Sequence, residues 1–230
     1  MIPRPAVRPI RGLGIAVVAL LVGDIVVQLS RIAAFVMEMD LLRRDMRGAL
    51  VTGAQIRALN WRLSTGANVA DLFLVVTAVV WLIWQHRAHA NLSGLGATQL
   101  RFTPGWAVGW WCVPLANLVK PFQTMRELWK ASGDTYGWPA LPTTALVGWW
   151  WGSYLGAQFV LGVASAVRED ASGDAALVGA DGWAIAALAT RIAAAVLAAL
   201  LVWAVVTRQA KARTAVPPRR DLATVPPRPA

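Results

Sequence analysis

Charge is scarce in this 230-residue chain: Asp, Glu, Lys and Arg together make up 15% of it. Soluble domains carry about a quarter. Hydrophobic residues reach 57% and mean hydropathy is +0.52, which points away from a water-soluble globule. Acidic residues are rarer than basic ones, 12 against 22, giving a formal net charge of +10. Cys112 is the single cysteine, so a disulfide-stapled secreted scaffold is excluded. Lysine is nearly absent (Lys120, Lys130 and Lys211), and the heavy Arg and Ala usage suggests a GC-rich bacterial genome. There is no glycine-rich nucleotide loop, HExxH or GxSxG. No spacing singles out a nucleophile and its base, so no catalytic residue, metal or cofactor is expected. An intramembrane site assembled from distant helices stays open.

What the chain does have is long apolar runs. A bilayer core of about 30 Å needs about 20 apolar residues in a helix. Residues 12–37, 67–85, 144–167 and 182–207 meet that length. Residues 104–119 are apolar but shorter, and Pro104, Gly105, Gly109 and Pro114 interrupt them. They predict either a short kinked crossing or a re-entrant segment. The expected fold is therefore an all-α integral membrane helix bundle: one domain over 12–207, with four to five transmembrane segments. Arg4, Arg8 and Arg11 precede the first run like a signal peptide, but its length, Asp24 and the lack of a cleavage site predict an uncleaved anchor. Residues 1–11 and 208–230 are rich in Pro and Arg and predict disordered tails. Between the first two runs, in 38–64, Leu41, Leu42, Met46, Leu50 and Val51 share a helical face with Arg43, Arg44, Asp45 and Arg47 interleaved. This predicts an amphipathic helix, either on the membrane surface or packed on the bundle end.

The basic excess fits this location better than it fits nucleic acid, because positive residues hold loops on the cytoplasmic side and face anionic lipid. Arg208, Lys211, Arg213, Arg219, Arg220 and Arg228 follow the last run, placing the C-terminus in the cytoplasm of a bacterial plasma membrane. The 168–181 loop, with Glu169, Asp170, Asp174 and Asp181, then faces outside. The side of the N-terminus depends on whether 104–119 crosses; the basic end of the second run, WQHRAHANL, and the Pro and Gly breaks in 104–119 favour four crossings.

Ionisable residues inside a span are costly and mark a pair, a path or a site. Asp24, Gln28 and Arg31 lie on one face of the first run, and Arg191 lies inside the last. Asp24 and Arg191 are expected to pair, as a register-fixing contact or part of an ion path. Gly148, Gly152 and Gly156 form a flat stripe in GWWWGSYLG, expected to pack closely on the Ala-rich last run. The 13 tryptophans suggest an interfacial belt or, less simply, a stacking platform. His86 and His89 are the only histidines. Their i, i+3 spacing could offer two metal ligands, but no third ligand lies nearby in sequence.

One stretch resembles a known family. It begins W-x-x-W-x-x-R-A-x-x-N-L from Trp81 to Leu92, followed by an L-G-A turn. Then come F-T-P-G-W-A-V-G-W-W, V-P-x-A-N-L and K-P-F-Q-x-M-R-E-L-W, the block ending near Ser132. It resembles the bacterial membrane family called domain of unknown function 4328, common in actinobacteria. Cys112 stands where that family usually has an aromatic, and His86 and His89 where it requires no histidine. The resemblance implies an integral membrane protein without assigned activity, and it carries over no catalytic residues. Arg101, Lys120, Arg126 and Lys130 bracket the Trp-rich stretch, with Trp106 and Trp129 as candidate anchors. They are expected to meet anionic lipid, such as cardiolipin, or an acidic partner segment. The leading expectation is a non-enzymatic scaffold or lipid- and partner-contacting envelope protein. Its partners would be membrane lipids, another membrane protein or a second copy, not nucleic acid. The alternatives are a small transporter or channel component and, after it, an intramembrane enzyme.

Overall fold

A computed structural model describes residues 5–215, which form helices and connecting turns with no strand among them. Four helices are long: α1 (Arg11–Met46), α2 (Gly53–Gly94), α5 (Ala145–Glu169) and α6 (Asp174–Ala215). Two are short: α3 (Pro104–Gly109) and α4 (Lys120–Gly133). Single 3₁₀ turns occur at Trp110–Cys112, Ala116–Leu118 and Trp138–Ala140. Three helix starts carry a threonine cap. Thr52 caps α2 through a reciprocal box in which its hydroxyl accepts from the Gln55 backbone N–H and the Gln55 side-chain amide oxygen accepts from the Thr52 N–H. Thr103, just ahead of Pro104, caps α3, and Thr144 caps α5.

The long helices run up and down, with α1 against α2 and α6, and α5 against α6. One end of the bundle gathers the start of α1, the end of α2, the start of α5 and the end of α6. We call it the termini end. Arg8 meets Asn91 there, Asn91 meets Gln209, and the rings of Trp81 and Trp150 stack 5.6 Å apart. At the opposite, loop end, Arg168 of α5 bonds Glu38 of α1 and Asp181 of α6.

Helices α1, α2 and α6 are long and apolar enough to cross a membrane. Their outward faces expose Val22, Val26, Leu29, Leu72, Val75, Val79 and Leu200, a surface of the kind that soluble monomers rarely carry. Helix α5 has 25 residues, about 37 Å at 1.5 Å each, but carries Trp149, Trp150, Trp151, Tyr154 and Gln158 in place of aliphatic residues. Length and composition thus mark three crossing helices where four to five were expected.

Several expectations are corrected. Residues 38–64 do not form one amphipathic helix. They are the end of α1, a turn at 47–52 and the start of α2, an arm whose Met46, Leu50, Ile56 and Trp61 are exposed. The bilayer sets a minimum helix length, not a maximum, and nothing breaks α1 before Gly48, which has φ +75°. Within the expected N-terminal tail, residues 5–10 pack as a strap on the end of α2, with Ile10 buried; residues 1–4 lie outside the described part. The expected C-terminal tail is helical to Ala215, and 216–230 lie outside the described part.

The 104–119 segment enters and leaves at the same end. The Arg101 N–H bonds Glu127 of α4, and the Lys120 ammonium sits over the Phe102 ring. The turn between is tight: Leu115 takes φ 61° and ψ −42°, and the Ala116 N–H reaches the Pro114 carbonyl at 2.7 Å. This is a γ-turn, strained for a non-glycine residue. Leu115 at its tip is exposed.

Candidate functional site

The termini end holds three buried side-chain amides. Gln85 accepts from the indole N–H groups of Trp81 (3.0 Å) and Trp111 (3.1 Å). It donates to the Ala107 carbonyl (3.1 Å) and the Thr124 hydroxyl (3.2 Å). That fills its hydrogen-bonding capacity and ties α2 to α3, the following 3₁₀ turn and α4. Asn91 donates to the Arg8 carbonyl (2.8 Å) and to Gln209 (3.1 Å), and accepts from the Arg8 N–H (2.9 Å). Gln209 donates to the Ala88 carbonyl (2.9 Å) and to Ser132 (3.1 Å). Around Gln85, the rings of Trp81, Trp84, Trp111, Trp150, Trp151 and Tyr154 lie in contact. Trp81, Trp84, Trp150 and Trp151 are therefore core residues, not a headgroup belt.

Glu127 of α4 is also buried and holds the loop ahead of α3. Its carboxylate accepts from the N–H groups of Arg101 (2.7 Å) and Phe102 (3.2 Å). Burial pushes its pKa up, while those two amides pull it down. His89 lies four residues past the apolar run of α2, with Nε2 3.8 Å from Glu127. Burial holds His89 down to about 3, so it is neutral and the two form no ion pair. Neither ring nitrogen has a partner, and no cluster of three metal-ligating side chains occurs among the described residues. His86, one turn earlier on α2, is exposed.

The basic residues expected at the surface lie around α4. Arg101 is exposed, and Lys120, Arg126 and Lys130 are half-buried. Lys120 also sits 5.3 Å from the Trp110 ring, and Arg126 5.7 Å from Phe122. Trp106 is 53% exposed, in a position to meet an interface. Trp129 is not: it is buried under Arg208, whose guanidinium lies 3.7 Å from its ring centre and bonds its carbonyl.

In mid-bundle the structure brings Asp24 and Arg191 together, with Nη2 to Oδ1 at 3.2 Å and Nε to Oδ2 at 3.4 Å. Gln28 donates to Asp24 (2.7 Å) and accepts from Arg31 (3.1 Å), forming a chain of four polar groups. The glycine stripe is different. A Cβ on Gly148 or Gly152 would meet nothing within 4 Å, and one on Gly156 only the Thr190 methyl at 3.8 Å. Gly148 and Gly152 look into open space, and only Gly156 borders α6, at ordinary contact distance. Close approach is made instead by α1, where a Cβ on Gly14 would collide with Val206 of α6 and one on Gly23 with Phe73 of α2.

Against this geometry, the family model described as Domain of unknown function (DUF4328) matches residues 47–219. The chain belongs to that family. The DUF4328 region contains α2 to α6, hence Gln85, Asn91, Glu127, Gln209 and the basic face of α4. Strap and α1 precede it, so Asp24, Gln28 and Glu38 reach the DUF4328 helices from outside the matched region. No curated protein and no solved structure matches the chain.

The sequence did not single out Gln85, Asn91, Glu127 or Gln209. Gln85, Asn91 and Glu127 all fall inside the family-like block from Trp81 to Ser132, which was the one available pointer.

Proposed function

We propose that this DUF4328 protein is a non-enzymatic, multi-pass membrane protein whose termini end meets anionic headgroups in the cytoplasmic leaflet. In this reading α1, α2, α5 and α6 cross, and 104–119 dips in and returns. The observation that carries it is the return of that segment, which collects basic groups at one end. Arg8, Arg11, Arg87, Arg101, Lys120, Arg126, Lys130, Arg208, Lys211 and Arg213 belong to that end, against Glu127 and Asp134. The loop end mixes Arg43, Arg44, Arg47, Arg57, Arg62 and Arg168 with Glu38, Asp40, Asp45, Glu169, Asp170, Asp174 and Asp181. Such asymmetry sets orientation, and each cation near an anionic surface contributes about 1 kcal/mol. The exposed Leu115 at the tip of the segment, with Leu118 and Val119 on the way back, suits the acyl region, and Arg101 and Lys120 flank the segment. The contacting role falls to the face of α4, either toward lipid or toward an acidic segment of a membrane partner.

Two measurements test this. Single cysteines at 174 and 214, in a Cys112→Ala background, are treated with an impermeant maleimide in intact cells. Labelling at 174 alone is expected; labelling at 214 alone reverses the orientation. Replacing Arg101, Lys120, Arg126 and Lys130 with Gln should then lower retention of anionic lipid in native mass spectrometry. Unchanged retention in a correctly inserted variant would leave these residues as orientation signals only.

A further inference from the structure

Away from α4, a groove of about 660 Å³ opens at the termini end between the strap, the last turns of α2 and α3. Leu82, Ile83 and Val108 give it an apolar floor, and Arg8, His86 and Arg87 line it with charge and polarity. Its wall is built by two local features. Gly94 has no Cβ, and one there would stand 2.6 Å from the Pro5 carbonyl oxygen, so only glycine admits the strap. Asn91 then grips both the N–H and the carbonyl of Arg8. The strap is thereby fixed beside α2 with Arg8 at the groove. Neither Arg8 nor Arg87 pairs with a carboxylate among the described residues. Along α2, Ile83, Val79 and Val76 follow one another at helical spacing on the exposed side, leading from the floor toward the middle of the bundle.

A site with two unpaired guanidiniums at one end and an exposed aliphatic track at the other matches an amphipathic anion. We propose that the groove binds one anionic phospholipid. Its phosphate meets Arg8 and Arg87, with His86 beside them, and an acyl chain follows Ile83, Val79 and Val76. A soluble phosphate would use the cations but leave the track idle, which is why the lipid is the occupant chosen. The proposal rests on the membrane reading above but uses residues distinct from the α4 face. The strap precedes the family-matched region, so the groove combines DUF4328 helices with an element from outside the match.

The test uses the full chain in nanodiscs of equal phosphatidylglycerol and phosphatidylcholine, with retained lipid counted by native mass spectrometry. Wild type should keep phosphatidylglycerol preferentially. Arg8→Gln with Arg87→Gln should weaken that retention about thirty-fold, at about 1 kcal/mol per cation and 1.4 kcal/mol per factor of ten. Ala90→Trp, which fills the groove and keeps both charges, should also lose the lipid. The quadruple Gln variant at α4 should keep it. Full retention by both groove variants, with native helix content, overturns the proposal. So does displacement of the bound species by millimolar inorganic phosphate, which would make a soluble anion the occupant. Loss in the α4 variant alone would reject the groove and support the α4 face. A protein extracted without detergent would instead sink the membrane reading itself.

Discussion

The two ends of the bundle are held together by different chemistry. At the termini end the buried groups that tie elements together are mainly amides, with Glu127 and His89 buried beside them: Gln85, Asn91 and Gln209 each join at least two elements. At the loop end they are ions: Arg168 faces Glu38 (2.8 Å) and Asp181 (2.5 Å). An amide donates and accepts without charge, so it can be buried with every bond made and it does not titrate. One arginine between two carboxylates leaves an acidic excess, and Glu38 Oε2 and Asp181 Oδ2 are buried without partners. The amide end is indifferent to pH at its hubs, whereas the ionic end answers to it.

The strongest way to break this comparison is to remove an amide hub. Gln85→Leu strands two indole N–H groups and the Ala107 carbonyl around a side chain that is 0% exposed, while the Thr124 hydroxyl keeps its bond to the Pro121 carbonyl. Each unsatisfied buried group costs about 1–3 kcal/mol, so a loss of about 4 kcal/mol or more is expected in detergent unfolding. A loss under about 1 kcal/mol would mean that water replaces the hub. Next comes the mid-bundle pair, where charges balance. Asp24→Asn or Arg191→Gln should each cost about 3 kcal/mol by leaving a charge without its partner, and the double change should recover part of that. Simple addition of the two losses would show that the residues are not coupled.

A smaller effect distinguishes the ends directly. Burial, with Glu38 close by, raises the Asp181 pKa from about 3.8 to about 6, while Arg168 opposes the shift. The folded form therefore holds the proton more tightly than the unfolded chain. Stability from this group is full below about pH 4 and is lost as pH rises through about 6. Asp181→Asn should flatten that fall in a plot of melting temperature against pH. His89, lowered to about 3 by burial, acts in the opposite sense: its contribution is present above about pH 6.5 and is lost as pH falls toward 3. An unchanged profile in Asp181→Asn would mean that the carboxyl does not titrate in this range.

What the sequence revealed follows the same division. The four long helices were legible because apolar runs are local, and Asp24 and Arg191 because an ion in an apolar run stands out, whereas α4 has no such run and was not foreseen. The amides were not. Gln85 and Asn91 lie in WQHRAHANL, where polar residues pass as interface chemistry, and their partners Thr124 and Gln209 lie 39 and 118 residues away. Helix ends were misplaced because hydropathy tracks the bilayer, not the hydrogen-bond ladder, so α1 and α2 continue past the apolar runs into the 38–64 arm. The basic residues of α4 were legible as a group, but not that Trp129 among them is covered by Arg208, a contact set by the return of α6.

The glycine stripe gives the smallest expected effect and shows a further limit. Spacing by four places Gly148, Gly152 and Gly156 on one face of α5, but spacing does not say which way that face looks. Gly152 is exposed and its added Cβ would meet nothing, so Gly152→Leu creates no clash within the chain. Leucine is also a better helix former than glycine by up to about 1 kcal/mol. Melting in detergent at low protein concentration should be unchanged or slightly raised, within about 1 kcal/mol. Gly14 on α1 supplies the contrast, since its Cβ would collide with Val206 at the termini end. If Gly152→Leu instead unfolds the protein at a concentration where it is monomeric, α5 packs by its glycine face after all, and the outward placement of the stripe is wrong.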